Sequence, residues 1–341
     1  MIFFKNKNIL VLSVKFFNYE NLIKDELTLM GAKVDLFDER PSNSFYSKAI
    51  IRLKREFYQK SIDKHYKKII GLIQNRKYDY FLLIKGEAVP VFFLEFLKSN
   101  NPGIKLIYYT FDSFKNNSNG LSLLSFFDRK FTFDREDSKI YNLGFRPLFF
   151  ASEYASLKEE VDNVVDYDLS FIGTAHSDRY SISQRLNRWC DEFSFKMFNF
   201  YYSPSKILFN FKKITDKNFV RFDRDKISFS SLTHNEIIAI YKKSKAVLDI
   251  NHPGQSGLTM RTFETLGSGR KLVTTNEDIR SYPFFNTNNI FVIDRQNPKL
   301  EADFFRNVFQ EIDSEVYFSM SLRGWLTELF EKESNIWLEQ K

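Results

Sequence analysis

The residues of this chain best suited to chemistry gather in one stretch, Ala246 to Asn276, which reads AVLDINHPGQSGLTMRTFETLGSGRKLVTTN. An apolar run, Ala246 to Ile250, ends in the turn formers Asn251, His252, Pro253, Gly254, Gln255, Ser256 and Gly257, and a helical pattern then runs from Leu258 to about Leu266. The first amides of a helix have no partner inside it, and the helix dipole adds partial positive charge, so the turn favours an anion and phosphate in particular. Gly257 lets a bulky anion approach the backbone, and Arg261 offers a charge-assisted fork to a diphosphate. Glu264 lies seven residues beyond Gly257, about two turns along, where it can reach a sugar hydroxyl while the amides hold phosphate. Gly267 and Gly269 suit the end of the helix, and Lys271 to Thr275 the next parallel strand. The same letters also fit an ordinary buried strand, helix and strand, with Glu264 a solvated helix residue.

Other polar groups fall at the ends of predicted strands. The strand Asp168 to Ile172 is followed by Gly173, Thr174, Ala175, His176, Ser177, Asp178 and Arg179. Amides around Gly173 can touch a phosphate or a transferred sugar, and His176 and Arg179 can neutralise a departing diphosphate, Arg179 being charged at every working pH. A helix start capped by Ser177 fits equally well. In the first half, Ser13 and Lys15 follow one strand, Lys85, Gly86 and Glu87 a second, and Asp112 with Ser113 a third. A carboxylate there can take the proton of an attacking hydroxyl, with Asp112 the first candidate and Glu87 the second. The plain alternatives are an Asx cap by Asp112 and a simple pair between Glu87 and Lys85.

The elements that must position these residues alternate. Strands are expected at Ile9 to Val14, Lys33 to Phe37, Tyr80 to Ile84, Ile104 to Thr110, Phe131 to Phe133 and Phe145 to Phe149. Helices are expected at Tyr19 to Met30, Ser47 to about Asn75, Val91 to Lys98 and Asp134 to Leu143. Such alternation argues for right-handed crossovers in a parallel sheet, with ligands outside the carboxyl ends of the strands. The acidic, weakly periodic segment 151–166 reads as a linker. Beyond it come a helix at Arg185 to Cys190, a strand at Lys196 to Phe200, a helix from Thr233 to Lys243 that opens with a Thr233 and Glu236 capping box, and a helical tail from Ala302 to about Lys332.

With 341 residues, 43% of them hydrophobic, the chain can fill two cores, since single cores stop growing at roughly 250 to 300 residues. Cys190 is the only cysteine, which rules out an internal disulfide or a cysteine-based zinc site and suits a reducing cytoplasm. The four histidines are scattered without metal-ligand spacing. MIFFKNKN at the start is broken by lysine too soon for a signal-peptide core, and no run approaches the roughly 20 apolar residues of a membrane span. The formal charge is +7, concentrated in residues 51–77, where nine Lys or Arg face Glu56 and Asp63. Ile51, Tyr58, Ile62, Tyr66, Ile69 and Ile73 recur there at near-helical spacing, so the basic helix 47–75 can either lie on anionic lipid or present a solvated face over a core. No nucleic-acid motif accompanies the charge.

The motif stretch resembles the donor-binding segment of GT-B glycosyltransferases, especially the bacterial capsule and lipopolysaccharide group, whose TMRTFE-like helix and VTTN-like strand match Thr259 to Glu264 and Val273 to Asn276. The tight match covers about twenty residues; in element order the likeness extends over nearly the whole chain. The resemblance implies two Rossmann-like α/β lobes facing each other across a cleft. An acceptor lobe would occupy 1–150, the linker 151–166, a nucleotide-sugar lobe 167–315, and 316–341 a C-terminal helix that crosses back to the first lobe. It implies that Gly257, Leu258 and Thr259 present amides to the diphosphate, that Arg261 assists, and that Glu264 binds the nucleotide ribose. The partners implied are a nucleotide-sugar donor and a glycan acceptor, lipid-linked in bacterial surface polysaccharide assembly, with no metal cofactor and a place in the cytoplasm at the inner membrane face. Many retaining members carry a second glutamate where Ser256 stands, which leaves the stereochemistry open.

Rival chemistries lack their marks. A metal-dependent transferase needs a DxD pair at a strand end; Asp166 with Asp168 precedes its strand, and Asp223 with Asp225 sits among basic residues. No G-x-G-x-x-G follows the first strand, and no lysine-containing phosphate loop is present. A nucleotide-sugar 2-epimerase of the same fold and a non-catalytic sugar-nucleotide or glycan-binding protein remain the alternatives.

Overall fold

Continuous apolar runs such as Ile9 to Leu12 and Phe81 to Ile84 can be satisfied only by strands covered on both faces, and every one of these residues is fully buried. The computed structural model of the chain describes residues 3–159, 165–253, 257–331 and 334–337, in two units, Met1–Pro147 with Leu322–Leu338 and Leu148–Ser321. Each unit is built on a six-stranded, all-parallel sheet.

The first sheet comprises β1 (Asn8–Ser13), β2 (Lys33–Asp38), β3 (Tyr80–Ile84), β4 (Lys105–Thr110), β5 (Arg129–Thr132) and β6 (Gly144–Phe145), in the order β2-β1-β3-β4-β5-β6. The order reverses between β1 and β3, so the crevice such sheets use for ligands opens at the carboxyl ends of those two strands. Register pairs Ser13 with Ile84 and Ile84 with Tyr109, which aligns those ends. The last helix of this unit, Leu322–Phe330, buries Trp325, Leu326 and Leu329. Trp325 meets Tyr109 edge-on at 4.7 Å, and the Glu328 carboxylate lies 2.6 Å from the fully buried Arg146 guanidinium.

The second sheet comprises β7 (Tyr167–Thr174), β8 (Met197–Tyr202), β9 (Ile227–Ser228), β10 (Ser244–Asp249), β11 (Lys271–Thr274) and β12 (Ile290–Val292), ordered β12-β11-β10-β7-β8-β9. Here the reversal falls between β7 and β10, the two strands that carry the sequence motifs at their ends.

Several expected elements change on folding. The long helix over 47–75 is broken into Phe45–Lys54, a 3-10 turn Arg55–Tyr58 and Gln59–Ile73. Its apolar stripe faces inward: Ile51, Ile62, Tyr66, Ile69 and Ile73 are buried in the core of the first unit, so of the two readings, lipid or core, the stripe takes the core. The strand over Phe145 to Phe149 shrinks to two residues because Pro147 cannot donate to a ladder. Segment 151–166, expected as a linker, contains the helix Ser152–Glu159 with Tyr154 and Leu157 buried; residues 160–164 lie outside the described residues. The tail splits into Ala302–Arg306, Ser314–Met320 and Leu322–Phe330, and the second unit runs to Ser321, past the expected boundary at 315. The capping box forms as its letters dictate: Glu236 N donates to Thr233 Oγ1 at 3.3 Å, and Thr233 N to the Glu236 carboxylate at 2.7 Å.

Candidate functional site

In the second unit the site is organised by a residue that pattern reading passed over, Asp249. As the last residue of β10 it is 1% exposed, and its carboxylate accepts from Thr259 Oγ1 (2.6 Å) and Thr262 Oγ1 (3.0 Å) and pairs with Arg261 (3.2 Å). These three residues form the start of helix Met260–Gly267, so one buried charge fixes the helix against the strand end. Because the Thr259 hydroxyl turns to Asp249, the helix has no side-chain cap. Thr262 N donates to Thr259 O at 3.1 Å, and among the described residues no side chain caps the start, so its amides can face an anion. Gly257 and Leu258 are buried beside that start, while residues 254–256 of the turn lie outside the described residues.

Glu264, expected either at a ribose or on a solvated face, is 6% exposed. Its position one turn beyond Arg261 places it inside the unit, and the solvated alternative does not hold. Gly267 serves packing, since a Cβ there would lie 2.4 Å from the Phe150 ring. Gly269 has φ +67° and is the residue that turns the chain out of the helix.

Across the switch point, Arg179 begins helix Arg179–Glu192 and is 8% exposed. Its Nε donates to Ile250 O (2.8 Å) and its Nη1 to Thr174 O (3.3 Å), which ties the ends of β7 and β10 together. Burial, reinforced by Arg261 and, more weakly, by Arg295, pulls its pKa down to about 10, so it keeps its charge at neutral pH. His176 is pulled down to about 3 by burial and then by Arg179, so it is a neutral imidazole there, contrary to the expectation that it carries charge to a diphosphate. Its Nδ1 lies 2.9 Å from Ser177 Oγ, and its ring 5.5 Å from that of His252. The expected Ser177 cap is not formed; the N-cap position is Asp178, without a side-chain cap bond.

Gly173 is overtaken by its strand. β7 runs on to Thr174, Gly173 pairs with Tyr201, and a Cβ there would lie 2.6 Å from the Phe171 ring. Its missing side chain makes room for that ring, and the nearest amides beyond the ladder begin after Ala175, whose N donates to Tyr202 O.

Arg295, beyond β12, was also missed. It grips Asp178 with two bonds of 2.7 Å and donates to Asn251 Oδ1 and to Asn251 O at 3.0 Å each. The only available signal was a charged pair, Asp294-Arg295, just after a short apolar run. Three guanidiniums, from Arg179, Arg261 and Arg295, thus converge on the switch point, partly offset by Asp249 and Asp178.

In the first unit the reversal point carries a second charged group. Lys85 and Gly86, right after β3, have φ +86° and +73°, and a lysine in that region costs about 1 to 3 kcal/mol. The turn is held by Glu39, a fully buried carboxyl that accepts Gly86 N at 2.8 Å and Glu87 N at 3.0 Å; two such bonds, at about 0.5 to 1.5 kcal/mol each or more for a charged acceptor, offset that strain. Burial, and then the neighbouring Glu87, push the Glu39 carboxyl up to about 7.

Glu87 is 4% exposed and is gripped by Arg40, whose Nε donates at 2.6 Å, with Lys85 Nζ 3.8 Å away. The expected pair with Lys85 is present but is the looser of the two, Arg40 being the chief partner. Lys85 also pairs, more closely, with Asp112 at 3.1 Å, and the Asp112 side chain is 29% exposed. The cap on the next turn comes from Ser113. Of the two proposed bases, then, Asp112 is open to an incoming hydroxyl and Glu87 is enclosed.

Both DxD pairs have structural partners: Asp166 pairs with Lys243, Asp168 with Lys245, and Asp223 caps a 3-10 turn. Among the described residues no group of three His, Cys, Asp or Glu gathers as metal ligands would, and no helix is long and apolar enough to cross a membrane.

Two doubly wound parallel sheets in one chain, with the last helix returned to the first unit, define the GT-B class of fold. The chain is similar over 95% of its length to an alpha-glucosyltransferase in complex with UDP and a 13-mer DNA, at 14% identity, 90% coverage of that chain and a TM-score of 0.54. It is likewise similar over 96% of its length to HepE of Anabaena in complex with UDP and glucose, at 10% identity, 96% coverage and a TM-score of 0.54. No protein-family model matches the chain, and no curated protein matches its sequence.

Proposed function

We propose that the chain is a glycosyltransferase that moves a sugar from a nucleoside-diphosphate sugar to a glycan acceptor, without a metal ion, in the building of a bacterial surface polysaccharide such as O-antigen or capsule. The observation that carries the reading is the convergence of Arg179, Arg261 and Arg295 on an uncapped helix start at the switch point of the second unit. An anion there would offset the repulsion by Arg261 and Arg295 that, after burial, lowers Arg179 to about 10, and a preorganised set of cations and amides can take the charge of a departing diphosphate in place of a metal. Glu264 is the residue proposed to meet the ribose, and Gly257, Leu258 and Thr259 to supply amides. The two fold relatives were each solved with UDP, so a UDP-sugar is the first donor to test. The polysaccharide setting rests on the likeness of TMRTFE and VTTN to that group.

In the reaction the acceptor oxygen bonds to the anomeric carbon, the bond from that carbon to the diphosphate oxygen breaks, and the hydroxyl proton passes to Asp112. Lys85 holds Asp112 in place, and Glu87 with Arg40 supports the turn that carries Lys85. Incubation of the protein with UDP-, GDP-, dTDP-, ADP- and CMP-sugars in a chelator, with glycan acceptors present, tests the reading. Nucleotide release coupled to a glycosylated product supports it. Conversion of the donor to its 2-epimer reassigns the chain to an epimerase, and donor binding without turnover makes it a binding protein.

A further inference from the structure

Helix Lys206–Thr215 of the second unit has the opposite polarity to an ordinary core helix. Its one fully buried residue, Phe209, is anchored among Phe219, Phe222 and Phe229 at centroid distances of 5.9, 6.4 and 6.0 Å. On the far side, Ile207, Phe211 and Ile214 recur at i, i+4 and i+7 and are 83, 62 and 85% exposed. That spacing makes them one continuous ridge on the outside of a helix. Just beyond, Val220 is 60% exposed. Isolated surface hydrophobics are ordinary, but an aligned ridge is not.

The ridge is bordered by positive charge. Lys206, Lys212 and Lys213 flank it at the sides of the helix, about 100° around from the ridge, with each ammonium near a ring of the underlying aromatic cluster: Lys206 5.6 Å from Phe229, Lys212 4.9 Å from Phe219 and Lys213 5.9 Å from Phe209. Residues 205–226 contain seven Lys or Arg against three Asp. We propose that this helix is a docking surface for an anionic lipid bilayer, with Ile207, Phe211 and Ile214 entering the boundary between headgroups and acyl chains and the flanking lysines meeting lipid phosphates.

Charge complementarity selects that occupant. An apolar ridge with a lysine border is the pattern of helices that lie in the plane of a negatively charged membrane surface. A second copy of this chain would bring the same positive border against itself. Three side chains of this size also present on the order of 500 Å², short of about 800 Å² per partner in a standard protein interface. The helix Gln59–Ile73, by contrast, spends its apolar face on the core. The surface is independent of the reaction proposed above.

Co-sedimentation of the full chain with phosphatidylcholine vesicles and with vesicles of equal parts phosphatidylcholine and phosphatidylglycerol tests the proposal. The protein should pellet with the mixed vesicles only. Combined Ile207→Asn, Phe211→Asn and Ile214→Asn should lower the partition coefficient about tenfold or more, and Lys206→Gln with Lys213→Gln about fivefold per lysine. The apolar variant should keep the wild-type unfolding midpoint, since Ile207, Phe211 and Ile214 are 62 to 85% exposed, and the lysine variant should lose only its weak ammonium–ring contacts, so both remain folded in the assay. Partition unchanged by both variants, or equal on neutral vesicles, overturns the proposal. So does a dimer in sedimentation equilibrium that the apolar substitutions dissolve, because the ridge would then be covered by a second copy.

Discussion

Asp249→Ala is the perturbation whose size the structure best defines. The substitution removes the acceptor of two hydroxyls, at 2.6 and 3.0 Å, and the partner of a guanidinium at 3.2 Å, from a site 1% exposed. Each hydrogen bond to a charged acceptor contributes about 1.5 to 3 kcal/mol, and removing one member of a buried ion pair costs about 3 to 5 kcal/mol. The Arg261 side chain keeps 20% exposure and can turn to water, and terms within one network do not add, so the net expectation is about 4 kcal/mol. For a unit of this size each kcal/mol lowers the unfolding midpoint by roughly 2 to 4 °C, which gives a fall of roughly 8 to 16 °C. Circular dichroism melts and urea titrations of the wild type, Asp249→Ala and Asp249→Asn measure it. The asparagine variant, which retains one acceptor oxygen, should lose less than half as much. The nucleotide-dependent rise in midpoint should also shrink in both variants, because the helix start they loosen is the one proposed to hold phosphate. A loss below about 1 kcal/mol for Asp249→Ala would show that the helix start is held by other means and would refute the role given to Asp249.

Three further outcomes are expected. Glu264→Gln should raise the donor KM more than it lowers kcat; initial-rate kinetics with unchanged donor KM would remove the ribose assignment. Asp112→Asn should cut kcat by about 100-fold or more with donor binding intact by titration calorimetry, and full turnover in that variant would exclude it as the base. Glu39 gives a pH signature. Its carboxyl is raised from 4.5 to about 7 in the fold, so its contribution is full below pH 4.5 and is lost as pH rises through about 7. Relative to Glu39→Gln, the wild type should lose on the order of 3 kcal/mol of stability across that window. His176, lowered from 6.5 to about 3, acts in the opposite sense but equally in both proteins, so parallel slopes would exclude the buried, protonated Glu39.

The parts of the fold legible in the sequence were those with a local cause. Apolar runs with no alternation demanded strands buried on both faces, and Thr233 with Glu236 is a cap that two side chains can form by themselves. The motif helix was legible because Gly257, Thr259 and Gly269 mark its ends. What escaped was set by distant partners. Asp249 and Glu39 look like ordinary strand-end acids until the sheet order brings Thr259 and Thr262 to one and the amides of Gly86 and Glu87 to the other. Arg295 is more than forty residues from Asn251, its partner at 3.0 Å. The basic segment 47–75 shows the converse limit: its periodicity marks an apolar stripe, which the fold buries in the core, but periodicity alone does not distinguish a core from a membrane.

The most direct test of the donor site is hydrogen–deuterium exchange of the wild-type protein with and without UDP in a chelator. Protection confined to peptides carrying Ala175–Arg179 and Gly257–Glu264 is the result expected if the arginine-lined switch point of the second unit holds the diphosphate. Protection elsewhere, or binding that the chelator abolishes, would contradict a metal-independent donor site at that place.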